Sequence, residues 1–445
     1  MRDLGARLRA LTSRQILLVG GLGFLAYAFP GFMSFDSITQ LRESRSGYHI
    51  DGHPPAMAEL WRFVELFVAG PVGMLLIQGA CFLVGAYLVC TRYMSPRKAA
   101  VTATLLLWFP PIAAVMAVIW KDSQMTGFLV LGLGLVLQDS RRLRLLGLVA
   151  FVAATAMRHN ALVMTGPLIF LCFVWDARHG LIKRHAISFA AFVAVTLSAQ
   201  VITNALTDEE QHIWHTSLAL CDMAMTLRNV PTPIPEAELR TMLDGVQVLQ
   251  RDPQTFMRDG IQDADYINTL WKTTYKLFGL PRTQAERDAV TRAWKRVVFG
   301  HKDAYLAYRW DIYRRLLGLG DEPDASPVYN WFSDIQDPWY SASRADHDAA
   351  PAHLQDLLRR GIHVVGATPI FHVMLYVILS VVLLPFSLRD RRVFALLASG
   401  ITSEAVLFVL APTTDWRYSF WMIVVVAFAV VMLVAGRARH KAVAA

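Results

Sequence analysis

Three polar runs far apart in the chain hold the residues equipped for chemistry. The first is Met33-Ser34-Phe35-Asp36-Ser37, followed by Gly47-Tyr48-His49 and then Asp51-Gly52-His53-Pro54-Pro55. A carboxylate with a second acid and two imidazoles about 15 residues further on can supply a general base and ligands for a phosphate or a metal ion. Asp36 also suits the N-cap of an interfacial helix starting near Ser37. The Pro-Pro pair after His53 fixes an extended turn, which serves either a held side chain or a helix start.

The second run is Trp120-Lys121-Asp122, at the end of an apolar stretch interrupted by Pro110-Pro111. The third polar feature is split between Arg158-His159-Asn160 and Asp415-Trp416-Arg417-Tyr418. A lysine between an interfacial tryptophan and an aspartate can be a snorkelling anchor. Together, Lys121, Arg158 and Arg417 would make a cationic site at headgroup depth, where ammonium and guanidinium donors hold phosphate or pyrophosphate. The plain alternative is ion pairing with Asp36, Asp51, Asp122 and Asp415 in the same layer. Glu404, inside an apolar stretch, reads as a hydrogen-bonding group between helices or as part of a pathway. His212-Ile213-Trp214-His215 and the aromatics Tyr305, Tyr308, Trp310 and Tyr313 suit a sugar or lipid site, although the tyrosine spacing fits core packing better. No Gly-rich phosphate loop, HExxH, GxSxG or paired-cysteine motif occurs, which leaves ATP-driven transport and zinc-protease chemistry without support.

The elements that must position these groups are apolar. Of the 445 residues 55% are hydrophobic and 18% charged, a balance that polar surface alone would hardly cover, so lipid is expected to be a large part of the solvent. The net charge of +8 comes in small clusters between apolar runs, which speaks for membrane topology and against nucleic acid. Cys81, Cys90 and Cys172 fall in apolar runs and Cys221 in a polar one, so no disulfide framework is predicted.

Apolar stretches near 16–33, 70–90, 99–119, 123–138, 144–157, 161–176, 185–206, 367–387, 393–412 and 418–436 predict about ten transmembrane helices, the fourth to sixth short enough for one pair to be re-entrant. The first, 16–32, follows a basic segment but lacks a small-residue cleavage site and is expected to be a retained anchor. With the N-terminus inside, each inside segment is basic: Arg2, Arg7, Arg9 and Arg14; Arg92, Arg97 and Lys98; Arg141, Arg142 and Arg144; Arg178, Lys183 and Arg184; Arg389, Arg391 and Arg392; Arg437, Arg439 and Lys441. Both termini are therefore predicted to be cytoplasmic. The expected organisation is a transmembrane region 1–206 of about seven helices with an outside loop 34–69, an extracytoplasmic domain 207–366, and a transmembrane region 367–445 of about three helices. The loop is expected to carry a short helix through Met57, Leu60, Trp61, Val64 and Leu66. The 207–366 domain reads as mostly helical, with a capping box at Thr283 and Glu286 and a break at Pro231, Pro233 and Pro235. The fold class is thus an all-α membrane protein.

The run Pro30-Gly31-Phe32-Met33-Ser34-Phe35-Asp36-Ser37, Gly47, His53-Pro54-Pro55, Trp120-Lys121-Asp122, Arg158-His159-Asn160 and Asp415-Trp416-Arg417-Tyr418 resembles the bacterial polytopic glycosyltransferases of the GT-C fold, in their mannosyltransferase- and aminoarabinose-transferase-like branch. The likeness covers most of the membrane part. It implies an inverting transfer of a sugar from a polyprenyl-phosphate donor to an envelope glycan, lipid or other cell-surface acceptor at the outer face of a bacterial inner membrane. It implies Asp36 as catalytic base or acceptor-orienting group, with Lys121, Arg158, Arg417 and His53 on the donor phosphate and Asp51, Asp122, His159, Asn160, Asp415 and Tyr418 in support. Where members often carry Lys-Pro-Pro this chain has His53-Pro54-Pro55, and Ser37 stands where they often have a second acid. No cofactor is implied; metal dependence varies across the fold, so a divalent metal stays possible. A transporter or flippase of a lipid-linked or anionic substrate and a non-catalytic assembly subunit are the other classes consistent with a polar layer in a membrane bundle.

Overall fold

The computed structural model describes residues 11–260, 274, 276–319, 353–411 and 413–444. Arg2, Arg7 and Arg9, and the 320–352 part of the predicted outer domain, lie outside the described residues. Among the described residues the regular structure is helical, with three isolated β-bridges. In chain order the helices are α1 (Ser13–Ala28), α2 (Phe35–Ser46), α3 (Ala56–Glu65), α4 (Val72–Cys90), α5 (Pro96–Leu107), α6 (Pro110–Met116), α7 (Lys121–Val136), α8 (Arg141–Met157), α9 (Ala161–Cys172), α10 (Leu181–Leu206), α11 (Ala219–Arg228), α12 (Glu236–Met242), α13 (Pro253–Gly260), α14 (Gln284–Gly300), α15 (Lys302–Leu316), α16 (His353–Gly366), α17 (Val373–Ser387), α18 (Arg391–Leu410) and α19 (Phe420–Ala444).

Each of the ten apolar stretches falls on a helix, but not every helix is long enough to cross. Val72–Cys90, Leu181–Leu206, Arg391–Leu410 and Trp416–Ala438 are long and apolar enough, and α5 with α6, bent by 70°, would be a fifth as one span. The 12 residues of α9 rise only about 18 Å, against about 30 Å of hydrocarbon. A sharp bend falls in the third stretch, where Pro110 and Pro111 start a new helix.

The chain divides into two compact units. The first comprises described residues within 1–209, 327–403 and 420–445, and the second those within 210–326 and 404–419. The second unit takes in 210–326 of the outer domain expected at 207–366; α16 groups with the first unit, and residues 404–419 with the second. In the first unit, α4, α7 and α8 pack side by side through small residues; Gly85 lets the backbone of Val130 approach so closely that a Cβ would sit 2.5 Å from it. The second unit has its own core, with Leu220, Met223, Leu227, Val290, Val297 and Tyr308 buried. The predicted capping box forms, Glu286 N–H donating to Thr283 Oγ1 at 3.3 Å, and the three prolines separate α11 from α12.

Candidate functional site

Two backbone stitches build the site in the first unit. Phe32 N–H donates to the Ala117 carbonyl at 2.9 Å and Ile119 N–H donates to the Phe32 carbonyl at 2.8 Å, a parallel bridge between the loop after α1 and the extended segment before α7. Gly31 makes this approach possible: its φ is +120°, and a Cβ there would meet Ile119 at 2.8 Å. The second stitch joins 49–51 to the end of α10, with Asp208 N–H on the His49 carbonyl at 2.9 Å and Asp51 N–H on the Glu209 carbonyl at 3.2 Å.

The last turn of α6 and the extended segment 118–120 after it leave carbonyls without helical partners inside an apolar bundle, and side chains satisfy them. Gln78 Nε2 donates to Met116 O at 2.6 Å and Val118 O at 3.0 Å, Ser123 Oγ donates to Val115 O at 2.7 Å, and Gln124 Nε2 donates to Gln78 Oε1 at 2.8 Å. These bonds fix where α7 starts and so where Lys121 and Asp122 stand. Trp120 Nε1 donates to Ser34 Oγ at 2.6 Å, bringing the start of α2 to the start of α7.

Ser34, and not Asp36, is the N-cap of α2, its hydroxyl accepting from Ser37 N–H. Asp36 sits in the first turn, relieved of capping and half-buried, so the capping reading of this acid is overturned. His53 stands between acid and cation: Nε2 is 3.9 Å from Asp36 Oδ1, and Nδ1 is 2.6 Å from Lys121 Nζ. An ammonium only donates, so Nδ1 accepts and the ring N–H is left on Nε2, toward Asp36.

Arg158, the extended residue that ends α8, is paired with buried Asp122 through Nη1 and Oδ1, while Asp122 Oδ2 has no hydrogen-bond partner. Arg158 therefore enters the site as half of a neutral pair. The next residue, His159, donates a ring N–H to the Asp51 carbonyl; loss of solvation, opposed by this bond, holds its pKa below the ordinary imidazole range, with Lys121 and Arg158 adding to the fall. Asn160 precedes α9 without capping it, and its side-chain oxygen is buried without a partner.

Sequence reasoning missed Glu43. Asp36, Gln40 and Glu43 follow the i, i+4, i+7 pattern of one helical face, and Gln40 and Glu43 are 2% and 6% exposed. Burial pushes the Glu43 carboxyl up to about 7, against the pull of Lys121. The i, i+4, i+7 spacing was in the sequence, but the exposed Arg42 and Arg45 on the same helix gave no sign that this face would be buried.

Asp415, Arg417 and Tyr418 belong to the second unit, where Arg417 Nε lies 2.6 Å from Asp415 Oδ2 and its guanidinium 5.8 Å from the Tyr418 ring. Glu404 accepts from Ser419 Oγ at 3.0 Å on Oε2, the hydrogen-bonding role. The tyrosines mainly build the core: Tyr308 is buried and Tyr305 and Tyr313 pack on it, whereas Trp310 is exposed. A second-unit groove of about 420 Å³, bounded by Glu236, Arg240, Asp244 and Arg251, holds none of the residues singled out from sequence. Among the described residues no group of three His, Cys, Asp or Glu could hold a metal ion. The chain matches no protein-family model, no curated protein and no solved structure.

Proposed function

We propose that this chain is a membrane glycosyltransferase of the GT-C type, with ten spans and both termini cytoplasmic. In this reading it moves a sugar, with inversion, from a polyprenyl-phosphate donor to an envelope glycan, lipid or other cell-surface acceptor on the extracytoplasmic face of a bacterial inner membrane. The observation that supports it most is the meeting of Asp36, His53 and Lys121, residues from two sequence-distant helix starts and the loop between them. An acid in the first turn of the polar helix α2, facing through His53 a cation at the start of α7, suits a reaction that removes a proton from one partner while charge grows on another.

Asp36 takes the proton of an acceptor hydroxyl or amine, whose lone pair attacks the anomeric carbon. The bond from that carbon to the phosphate oxygen breaks, and its electron pair stays on the lipid phosphate. Lys121 stabilises this charge, and His53, a neutral partner, orients the ammonium without cancelling it. His159 is held by its bond to the Asp51 carbonyl. The donor-phosphate role of Arg417 rests on the resemblance alone.

The test is Asp36→Asn in liposomes carrying a polyprenyl-phosphate sugar and an acceptor. Transfer is expected to fall by about 10²-fold or more while donor binding persists. Unchanged transfer removes Asp36 from its role, and movement of the lipid-linked substrate without covalent change would establish a transporter instead.

A further inference from the structure

Glu43 is a buried acid that the transfer mechanism does not use. Its Oε2 accepts one long bond, from Gln40 Nε2 at 3.4 Å, and its Oε1 has no hydrogen-bond partner. Glu43 lies on the face of α2 that carries Asp36, which His53 links to Lys121; the charged and titratable groups of this neighbourhood are Asp36 and Arg42 on α2, His49 and His53 in the loop, Glu59 and Arg62 on α3, which packs on α2, Lys121 and Asp122 at the start of α7, and Arg158 at the end of α8. Of these, Lys121 is the one whose charge acts on Glu43.

We propose that Glu43 is a positioning residue that couples capture of a phosphodiester by Lys121 to uptake of a proton. The inference rests on Lys121 as the anion partner of the proposed site, but not on sugar transfer. The physical argument is competition for one cation. A carboxylate buried with so little hydrogen bonding keeps its charge only through Lys121. An anionic phosphate drawn to the same ammonium sets a second negative charge near Glu43 and takes up part of the attraction. The charged form of Glu43 is then disfavoured, its pKa rises from about 7, and a proton comes from solvent. In reverse, as pH rises through that value the bare carboxylate contests the cation and phosphate binding weakens.

The full chain in neutral detergent is titrated calorimetrically with a short-chain prenyl phosphodiester, which does not itself titrate near neutrality, in two buffers of different ionisation heat. At pH ~7.5 the wild type should take up a substantial fraction of a proton per diester bound, and close to none at pH ~5.5, where Glu43 already holds its proton. Glu43→Gln should bind without uptake at either pH and, at pH ~8.5, more tightly than wild type by up to about tenfold, the equivalent of one pKa unit. A parallel titration with phosphatidylglycerol tells a membrane headgroup from a prenyl donor as the source of the phosphate. Binding of the diester by the wild type without proton uptake overturns the coupling and leaves the donor site standing. No binding of either phosphodiester overturns both. Should Glu43→Gln fail to fold, the two-buffer comparison on the wild type decides the matter.

Discussion

Lys121 Nζ lies 2.6 Å from Nδ1 of His53, whose other nitrogen faces Asp36 Oδ1 at 3.9 Å. His53 is thereby less a phosphate ligand in its own right than the group that sets the distance between the proposed base and the proposed cation. Replacing it by Ala should leave both in place without a common partner, lowering turnover by about 10- to 100-fold, less than loss of the base itself. His53→Gln, with one acceptor for the ammonium and one donor for the acid, should recover part of that loss. Steady-state kinetics with the lipid-phosphate sugar check this, and wild-type turnover in His53→Ala would remove the bridge from the mechanism.

The polar runs were legible because a membrane makes them conspicuous: Asp36, His53, Lys121 and Arg158 stand beside apolar stretches where bland residues would serve. Backbone pairing was not legible, since the bridges Phe32 to Val118 and Ile50 to Glu209 leave no side-chain signature. Ser34 took the cap assigned to Asp36 because the helix starts two residues earlier than expected. Glu43 passed unnoticed among the exposed charges Arg42 and Arg45, and its burial belongs to tertiary packing, in which α2 lies on α3. The apolar stretch 161–176 overstated its helix, which stops at Cys172.

The Arg158–Asp122 pair separates structure from binding. Asp122 is 1% exposed, so Asp122→Ala removes the counter-charge from a buried ion pair and should destabilise the first unit by about 3–5 kcal/mol. Replacing both partners together, Asp122→Leu with Arg158→Met, removes the charge and its counter-charge and should restore most of that loss. If Arg158 also holds the donor phosphate, the double variant melts near wild type in detergent but binds the prenyl phosphodiester at least about tenfold more weakly, the 1.4 kcal/mol of one modest charged contact. Wild-type affinity in the stable double variant would confine Arg158 to a structural role and leave Lys121 to meet the phosphate.

In the second unit Arg309 is 2% exposed and joins three elements. Its Nη1 lies 3.6 Å from Asp222 Oδ1, and its Nε donates to the Phe408 carbonyl at 2.9 Å, in the last turn of α18, where helix carbonyls lack partners of their own. Trp294 Nε1 donates to the other Asp222 oxygen at 2.9 Å. Burial lifts Asp222 to about 6, while Arg309, Trp294 and Tyr308 restrain the rise. In the wild type, folding holds this proton more tightly than the unfolded chain, so the contribution of Asp222 to stability is greatest below the ordinary carboxylate range and is lost as pH rises through about 6. Arg309→Met withdraws the main restraint and sends Asp222 higher still, so the loss then extends above neutrality. The variant should be less stable by about 3–5 kcal/mol at pH ~8, where a charged Asp222 has no cation, and by clearly less at pH ~5, where the acid is neutral. Thermal unfolding in detergent across that range, followed by tryptophan fluorescence, measures the difference. A destabilisation equal at both pH values would mean that the arginine acts through its caps on α18 alone and not through Asp222.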